Sequence, residues 1–439
     1  MELGEIAAPA STGPQEDVIR LRVEANEGAV LQMRIDGQVA SMDGLEGQFV
    51  AGKMIAYRIV NQDITIRGYI QALVLPNNAL TQVDVSQCPQ LRTLDLEKNP
   101  IEEINLNHNP LLEKINLVRC NLHTLDVSKC PELRTLVCSS NRLQSLDVSK
   151  CPELREFDCS GNQLQSLDVS KCPDLQSLHC EENQLQCLDV SQCPELRELE
   201  CWRNQLQCLD VSQCPELREL GCEENQLQSL DVSKCPVLQG LSCGETQLQC
   251  LDVSHCPELR ELNCYGNSLQ CLDMSNCTKL QKLWCGKNQL KGLDVSKCLA
   301  LQWLSCEENQ LQHLDVSGSP KLRGLECWWN QLQGLNVSGC PELQSLSCQG
   351  NQLHSLDVSQ CPALQVLECQ ENQLQSLDVS QCPELEELEC QDNQMSKSAI
   401  IALVESLPMN PERSERRILM DDRIPAAKSW AQLKGWEVD

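Results

Sequence analysis

Residues Leu133–Glu153 read LRTLVCSSNRLQSLDVSKCPE, and the stretch returns, lightly edited, along most of the chain. Asn141, Asn162, Asn183, Asn204 and Asn225 stand 21 residues apart, and the frame runs from Asn78 to Asn393 without an insertion or deletion. Counted from its first leucine, the unit is L-x-x-L-x-C-x-x-N-Q-L-x-x-L-D-V-S-x-C-P-x. The alternation L-x-x-L-x-C puts positions 4 and 6 inward on a short strand and positions 3, 5 and 7 outward. Asparagine at position 9 can satisfy backbone groups where the strand turns, repeating as a ladder between coils. Cys120 and Thr246 interrupt that ladder, which predicts two looser turns. The return limb L-D-V-S-x-C-P is too short for a helix. Leu146 and Val148 should point in, Asp147 and Ser149 out into Asx or Ser turns, and Pro152 removes a donor where no ladder bond is needed.

A fixed period in the twenties with leucine and asparagine in these places is the signature of a leucine-rich repeat. The expected fold is therefore a leucine-rich-repeat solenoid of the α/β type, mostly β, with a curved parallel sheet on its concave face. Units start at Ile70, Leu91, Leu112, Leu133 and so on to Leu385. The expected organisation is a disordered lead-in (1–16), a small β cap (17–69), the repeats (70–395) and an α/β cap (396–439). The N-terminal cap is read from alternating runs such as VIRLRVEA and ITIRGYI; its alternative is a binding domain in its own right. Past Asn393, SKSAIIALVESLP reads as a helix capped by Ser396 or Ser398 and ended by Pro408. A strand at RILMDD, a helix at PAAKSWAQLKGW and a last strand at Glu437–Val438 should follow, with Trp430 and Trp436 covering the open end of the core.

The formal charge is −28, from 63 acidic and 35 basic residues, which makes phosphate backbones and anionic membranes poor partners. The opening MELGEIAAPASTGPQEDVIRL has neither a basic nor an apolar leader segment, no run of about 18 apolar residues occurs, and no sorting or lipidation signal is visible at either end. Of 31 cysteines, thirteen stand at position 6 and thirteen at position 19. Such columns read as small buried hydrophobes stacked coil on coil, mostly as free thiols. Neighbouring Cα atoms would lie about 4.8 Å apart, within disulfide range, but in-register side chains point the same way. Asn109 and Ser319 replace cysteine at position 19 without disturbing the frame. Cys120, Cys187, Cys208, Cys250 and Cys271 fall outside the columns; the last four make two neighbouring-unit pairs at position 13, either copied by duplication or bridged. No C-x-x-C pair or histidine ligand spacing marks zinc, and one aspartate per coil falls short of a calcium cage, so no metal or other cofactor is expected.

No nucleophile, base and orienter stand together, and a binding scaffold without enzymatic activity is the expected function. Its candidate contact residues are the exceptional outward ones. Trp202, Tyr265, Trp284, Trp303, Trp328 and Trp329 fall at positions 3, 5, 7 or 8 of their units, with Glu200, Glu223 and Glu307 at positions 5 and 7. Clustered aromatics on a sheet commonly mark a contact surface; the alternative is that the rings pack on one another and cover the sheet. Acidic residues beside them would steer a basic partner or form a solvated face. The expected partner is a protein; a glycan, stacked on the same rings, is the alternative, and the oligomeric state is open.

In NQLQCLDVSQCPELRELEC (183–201) the unit resembles the cysteine-ladder repeats of internalin J-type bacterial surface proteins and of related repeat proteins from Bacteroidetes-like bacteria. The resemblance covers roughly residues 70–395, through N-Q-L, L-D-V-S and the position-6 cysteine together. It implies a secreted or surface-exposed adhesin or virulence-associated binding protein of a host-associated bacterium, and it supplies no catalytic residues. Cysteine in place of asparagine at position 19 is a departure that makes a second ladder. Without a sorting signal, the mode of attachment is left open. An intracellular scaffold, consistent with so many free thiols, is the alternative.

Overall fold

The computed structural model describes residues 16–409, 416–420 and 425–438. All of the lead-in expected at 1–16 except Glu16 lies outside them. The chain forms two compact units, Met1–Asn183 and Gln184–Asp439.

In the first unit six strands precede the regular coils: β1 (Asp17–Val23), β2 (Val30–Asp43), β3 (Leu45–Glu46), β4 (Ile55–Ile59), β5 (Asp63–Val74) and β6 (Leu80–Asp84). β5 joins two kinds of sheet. It runs antiparallel to β1 (Ile19 opposite Ile66) and to β2 (Arg34 opposite Val74), while its last three residues pair in parallel with Thr93–Asp95. A single strand therefore passes through the 69/70 position that separates cap from repeats in the sequence. By pairing with β5, β2 also occupies the edge that the first coil would otherwise leave with open donors and acceptors. Asn78, the first ladder asparagine, turns to β2, accepting from Gln32 N and donating to Gln32 O, both at 2.7 Å. Three-residue strands then repeat in register 21 residues apart, as at Thr135–Val137, Glu156–Asp158 and Ser177–His179.

The second unit continues the pattern in strands from Glu198–Glu200 to Glu387–Glu389, all parallel. Its return limb carries a further narrow parallel pair, His313–Asp315 with Gly334–Asn336. α1 (Lys397–Ser406) follows, N-capped by Ser396, whose hydroxyl accepts from Ala399 N. Strands Arg416–Leu419 and Trp436–Val438 extend the sheet in parallel, with α2 (Pro425–Leu433) between them. The expectation for the two tryptophans needs correcting. Trp436 is 2% exposed, but Trp430 is 50% exposed because Ala431 takes the inward place on α2. A buried Arg416, not foreseen, lies against the Trp436 ring and donates to the carbonyls of Pro383 and Pro408.

Leucines at positions 1, 4 and 11, and cysteines at position 6, are almost completely buried, so the core is one inward column per position. The polar backbone of each turn is satisfied by the ladder asparagine. Asn225 donates to Cys201 O (3.0 Å) in the preceding coil and Cys222 O (3.1 Å) in its own, and accepts from Leu206 N at 2.9 Å. Position 8, just before it, has positive φ in every unit from Asn77 to Asp392, including a bulky Trp329 at φ 49°. That conformation is sterically costly outside glycine, so the turn imposes it on whatever residue stands there. On the return limb Ser149 N donates to Asp147 Oδ1 at 2.8 Å, the expected Asx turn, and the motif recurs at Asp168, Asp210 and Asp231.

The second cysteine column has a similar chemical role. Cys151 Sγ donates to Val127 O of the preceding coil, and Cys235 Sγ to Val211 O. Asn109 does the same with its amide, donating to Val85 O and Cys88 O at 2.9 Å. The shorter side chain of Ser319 reaches no acceptor, and its hydroxyl is buried without a hydrogen-bond partner. Burial pushes the thiol of Cys130 up to about 11 and that of Cys151 to about 12. Every cysteine is free, and only Cys187, Cys208, Cys250 and Cys271 are exposed. Titration of the native protein with a thiol-reactive dye should therefore label four groups quickly and the other 27 only in denaturant; rapid labelling of the columns would contradict this packing.

The two ladder interruptions have measurable consequences. Without an asparagine at 120, Ile101 N folds back on Asn99 O, and Cys120 Sγ donates to Leu96 O of the preceding coil and, more distantly, to Val118 O of its own. The Thr246 hydroxyl, 3.0 Å from Cys243 O, is too short to span to the preceding coil. Cys120→Asn and Thr246→Asn should each raise stability by about 1 kcal/mol, read as a higher urea midpoint.

Candidate partner-binding face

In the second unit the outward side chains of positions 3, 5 and 7 surround an open groove of about 520 Å³. Its floor is low because small residues stand where neighbouring coils carry large ones: Gly221, Gly240, Ser242, Asn263 and Ser305. Its walls hold Glu200, Glu219, Glu223, Glu261, Glu307 and Glu326, with Tyr265 and Trp284 in the coils between Glu223 and Glu307.

Five of the nine residues singled out from sequence meet here: Glu200, Glu223, Glu307, Tyr265 and Trp284. Trp202, Trp303, Trp328 and Trp329 stand in coils that contribute Glu200, Ser305, Glu307 and Glu326 to the groove, but do not line it themselves. Only Trp329, 58% exposed, stands out into solvent; Trp202, Tyr265, Trp284, Trp303 and Trp328 are half-buried. The rings lie along the sheet with partners of their own. Trp303 lies over Gly324 of the next coil, and Trp328 meets Trp329 edge-on at 5.3 Å. Arg203 sits 5.3 Å from the Trp202 ring, Lys282 5.8 Å from Trp284 and Lys287 5.2 Å from Tyr265. Self-packing thus accounts for part of the aromatic cluster, and the edges of Tyr265 and Trp284 are what the groove presents.

The carboxylates are poorly compensated. Glu307 is 4% exposed and has the Ser305 hydroxyl as its donor. Glu223 accepts from Ser242, itself held by Asn263 Nδ2 at 3.1 Å, while its Oε2 is buried without a partner. Glu261 is paired with Lys282 at 2.8 Å. Glu219, Glu223, Glu307 and Glu326 make no ion pair among the described residues. Burial, and after it the charges of Glu261 and Glu198, raise the Glu219 carboxyl; burial and the Glu307 charge raise Glu326. Glu261 and Glu326 were not among the residues expected at the site. The signal for them lies in the columns: glycine at positions 3 and 5 in successive units opens a slot into which neighbouring acids lean.

No protein-family profile and no curated protein sequence matches the chain. Solved structures do. The functional domain of InlJ from Listeria monocytogenes, described as including a cysteine ladder, is 28% identical over 83% of this chain and 77% of that one, with a TM-score of 0.58. A leucine-rich-repeat protein of Leptospira interrogans is 25% identical over 76% of this chain and 93% of its own, with a TM-score of 0.68. The plant peptide hormone receptor RGFR1, solved with RGF2, is 17% identical over 81% and 71% at a TM-score of 0.60, a likeness of fold alone. The chain is a leucine-rich-repeat solenoid of the cysteine-ladder type, similar to InlJ. Among the described residues no helix is long and apolar enough to cross a membrane.

Two sets of carboxylates titrate in opposite senses. Glu181, Glu219, Glu326 and Glu389 are raised, chiefly by burial, so the fold binds their protons more tightly than the unfolded chain. Their contribution to stability is lost as pH rises through the folded values and returns as pH falls into the ordinary glutamate range. The turn aspartates Asp126, Asp147, Asp168, Asp210 and Asp231 are held low, first by serine backbone N–H groups, and the stability they contribute is lost as pH falls through their folded values. The melting temperature, followed by circular dichroism, should therefore peak on the acid side of neutrality and fall only at lower pH. A steady decline from neutrality downward would contradict the crowding of the groove.

Proposed function

We propose that this cysteine-ladder protein is a non-enzymatic scaffold that binds a protein partner through the sheet face of its second unit, as a secreted or surface-exposed adhesin of a host-associated bacterium. The observation that carries the reading is the groove. An open depression is lined by aromatic edges and by acids, of which Glu219, Glu223, Glu307 and Glu326 make no ion pair among the described residues. Polar groups converging in a concavity are what recognition needs, and a rigid sheet positions them without an ordering cost on binding. The likeness to InlJ supports the bacterial, host-associated setting. The plant receptor solved with its peptide hormone supports a peptide or protein as the kind of ligand this fold can hold.

Labelled protein applied to epithelial cells should bind saturably and in a manner abolished by surface proteolysis. The double variant Trp284→Ala/Trp303→Ala should lose at least about tenfold in affinity, as for aromatic anchors at other interfaces, with an unchanged circular dichroism spectrum. Undiminished binding by the variant would overturn the reading. Binding that resists proteases but is removed by glycosidases would transfer it to a glycan.

A further inference from the structure

The acids of the groove lean toward its centre from both ends. Glu219 lies over Gly240, one coil further along the array, and Glu307 lies back over Gly286, one coil earlier; a Cβ at either glycine would collide with the carboxylate. Each glycine is thus the opening through which an acid reaches inward. At one end Glu219 and Glu223 share a coil, and at the other Glu307 and Glu326 stand in adjacent coils, with Tyr265 and Trp284 between. All four acids lack a cation partner among the described residues, Glu307 is nine-tenths buried, and the inner oxygen of Glu223 accepts nothing. Leaving buried carboxylates unpaired costs stability. A chain that can place Lys282 on Glu261 or Arg203 on Glu224 by a single substitution in a column has the means to neutralise these as well.

We infer that the groove binds an extended, arginine-bearing segment of the partner protein, one guanidinium at the Glu219/Glu223 end, on Glu223, and a second at the Glu307/Glu326 end. The inference rests on the sheet-face reading above and specifies its ligand. Four coils separate Glu223 from Glu307, which at about 4.8 Å per coil is about 19 Å. An extended chain covers that distance in about six residues, and an even spacing puts both arginines on the same side. The charge of the groove selects cations. The planar guanidinium suits it better than an ammonium because it can bind a carboxylate through two parallel bonds and lie against the Trp284 edge. Intervening residues on the same side would pass over Leu220, Leu241 and the ring of Tyr265.

The test uses the full chain and a labelled heptapeptide with arginine at both ends, valines at the two inward places between them and serine elsewhere. It should bind at least about tenfold more tightly than the same peptide with both arginines replaced by citrulline, and more tightly than one with the arginines adjacent, and its affinity should fall as salt rises. Glu223→Gln/Glu307→Gln should weaken it about tenfold or more while leaving the melting temperature unchanged or higher, since like charges are removed. Glu326→Gln, at a half-buried position, gives the same reading should the double variant fold poorly. Gly286→Ala should weaken binding by displacing Glu307. Equal binding of the citrulline peptide, indifference to these substitutions, or a preference for free spermine over the peptide would each overturn the inference. A cell-surface partner lost with Trp284→Ala/Trp303→Ala yet insensitive to the glutamate variants would overturn this inference and leave the sheet-face reading standing.

Discussion

The structure depends on satisfying the backbone where each coil leaves its strand. A three-residue strand cannot bury the polar groups of the turn after it, and the turn lies against a core of leucine and cysteine with no water to help. One asparagine amide per coil resolves this by bonding its own coil and the one before at once, as Asn225 and Asn288 do. The left-handed residue at position 8, the buried position-6 cysteine and the short strand all follow from holding that amide in place. The cysteine at position 19 repeats the device on the return limb in a weaker form, an S–H in place of an amide. A purely apolar residue could fill the same space but would remove the bond between coils, leaving the valine carbonyl only the N–H of the cysteine in its own coil, as Cys130 N on Val127 O.

This division of labour explains why the face of the sheet is free to vary. Inward positions are fixed by packing and the turn by hydrogen bonding, which leaves positions 3, 5 and 7 of the strand free to carry residues particular to this chain. Where they hold glycine or serine, neighbouring side chains fall into the gap. Trp303 does so over Gly324 and packs along the sheet; Glu219 and Glu307 do so over Gly240 and Gly286 and bring charge into a depression. Stability is given up there, in keeping with a surface shaped for contact rather than for the fold.

Most of the architecture was legible in the sequence because the period leaves little else to determine. The coil, the inward columns, the Asx turns, the Ser396 cap and the free buried thiols follow from spacing and residue type. The groove was legible only in part. Tyr265, Trp284, Glu200, Glu223 and Glu307 stood out as unusual, but nothing along the chain says that Trp303 turns away while Glu307 bends inward. That depends on which residue lies 21 positions off, and on there being no Cβ at Gly324 or Gly286. The different fates of Trp430 and Trp436 have a similar cause, since the phase of a helix whose inward face is taken by a small alanine is not evident from its apolar content. The reach of Arg416 to two carbonyls depends on tertiary placement in the same way.

Because each coil is bonded to its immediate neighbours and to little else, resistance to mechanical load is a local property. Tension applied along either unit concentrates at the junction with the fewest bonds across it. In the first unit that junction is at Cys120, where the amide bridge is reduced to a single thiol contact; in the second it is at Thr246, where a hydroxyl does not span the gap. Under shear the second unit would part first inside the groove, between the coil of Glu219 and Glu223 and that of Gly240 and Ser242, while the junctions held by complete asparagines at 225, 288, 309 and 330 stay closed.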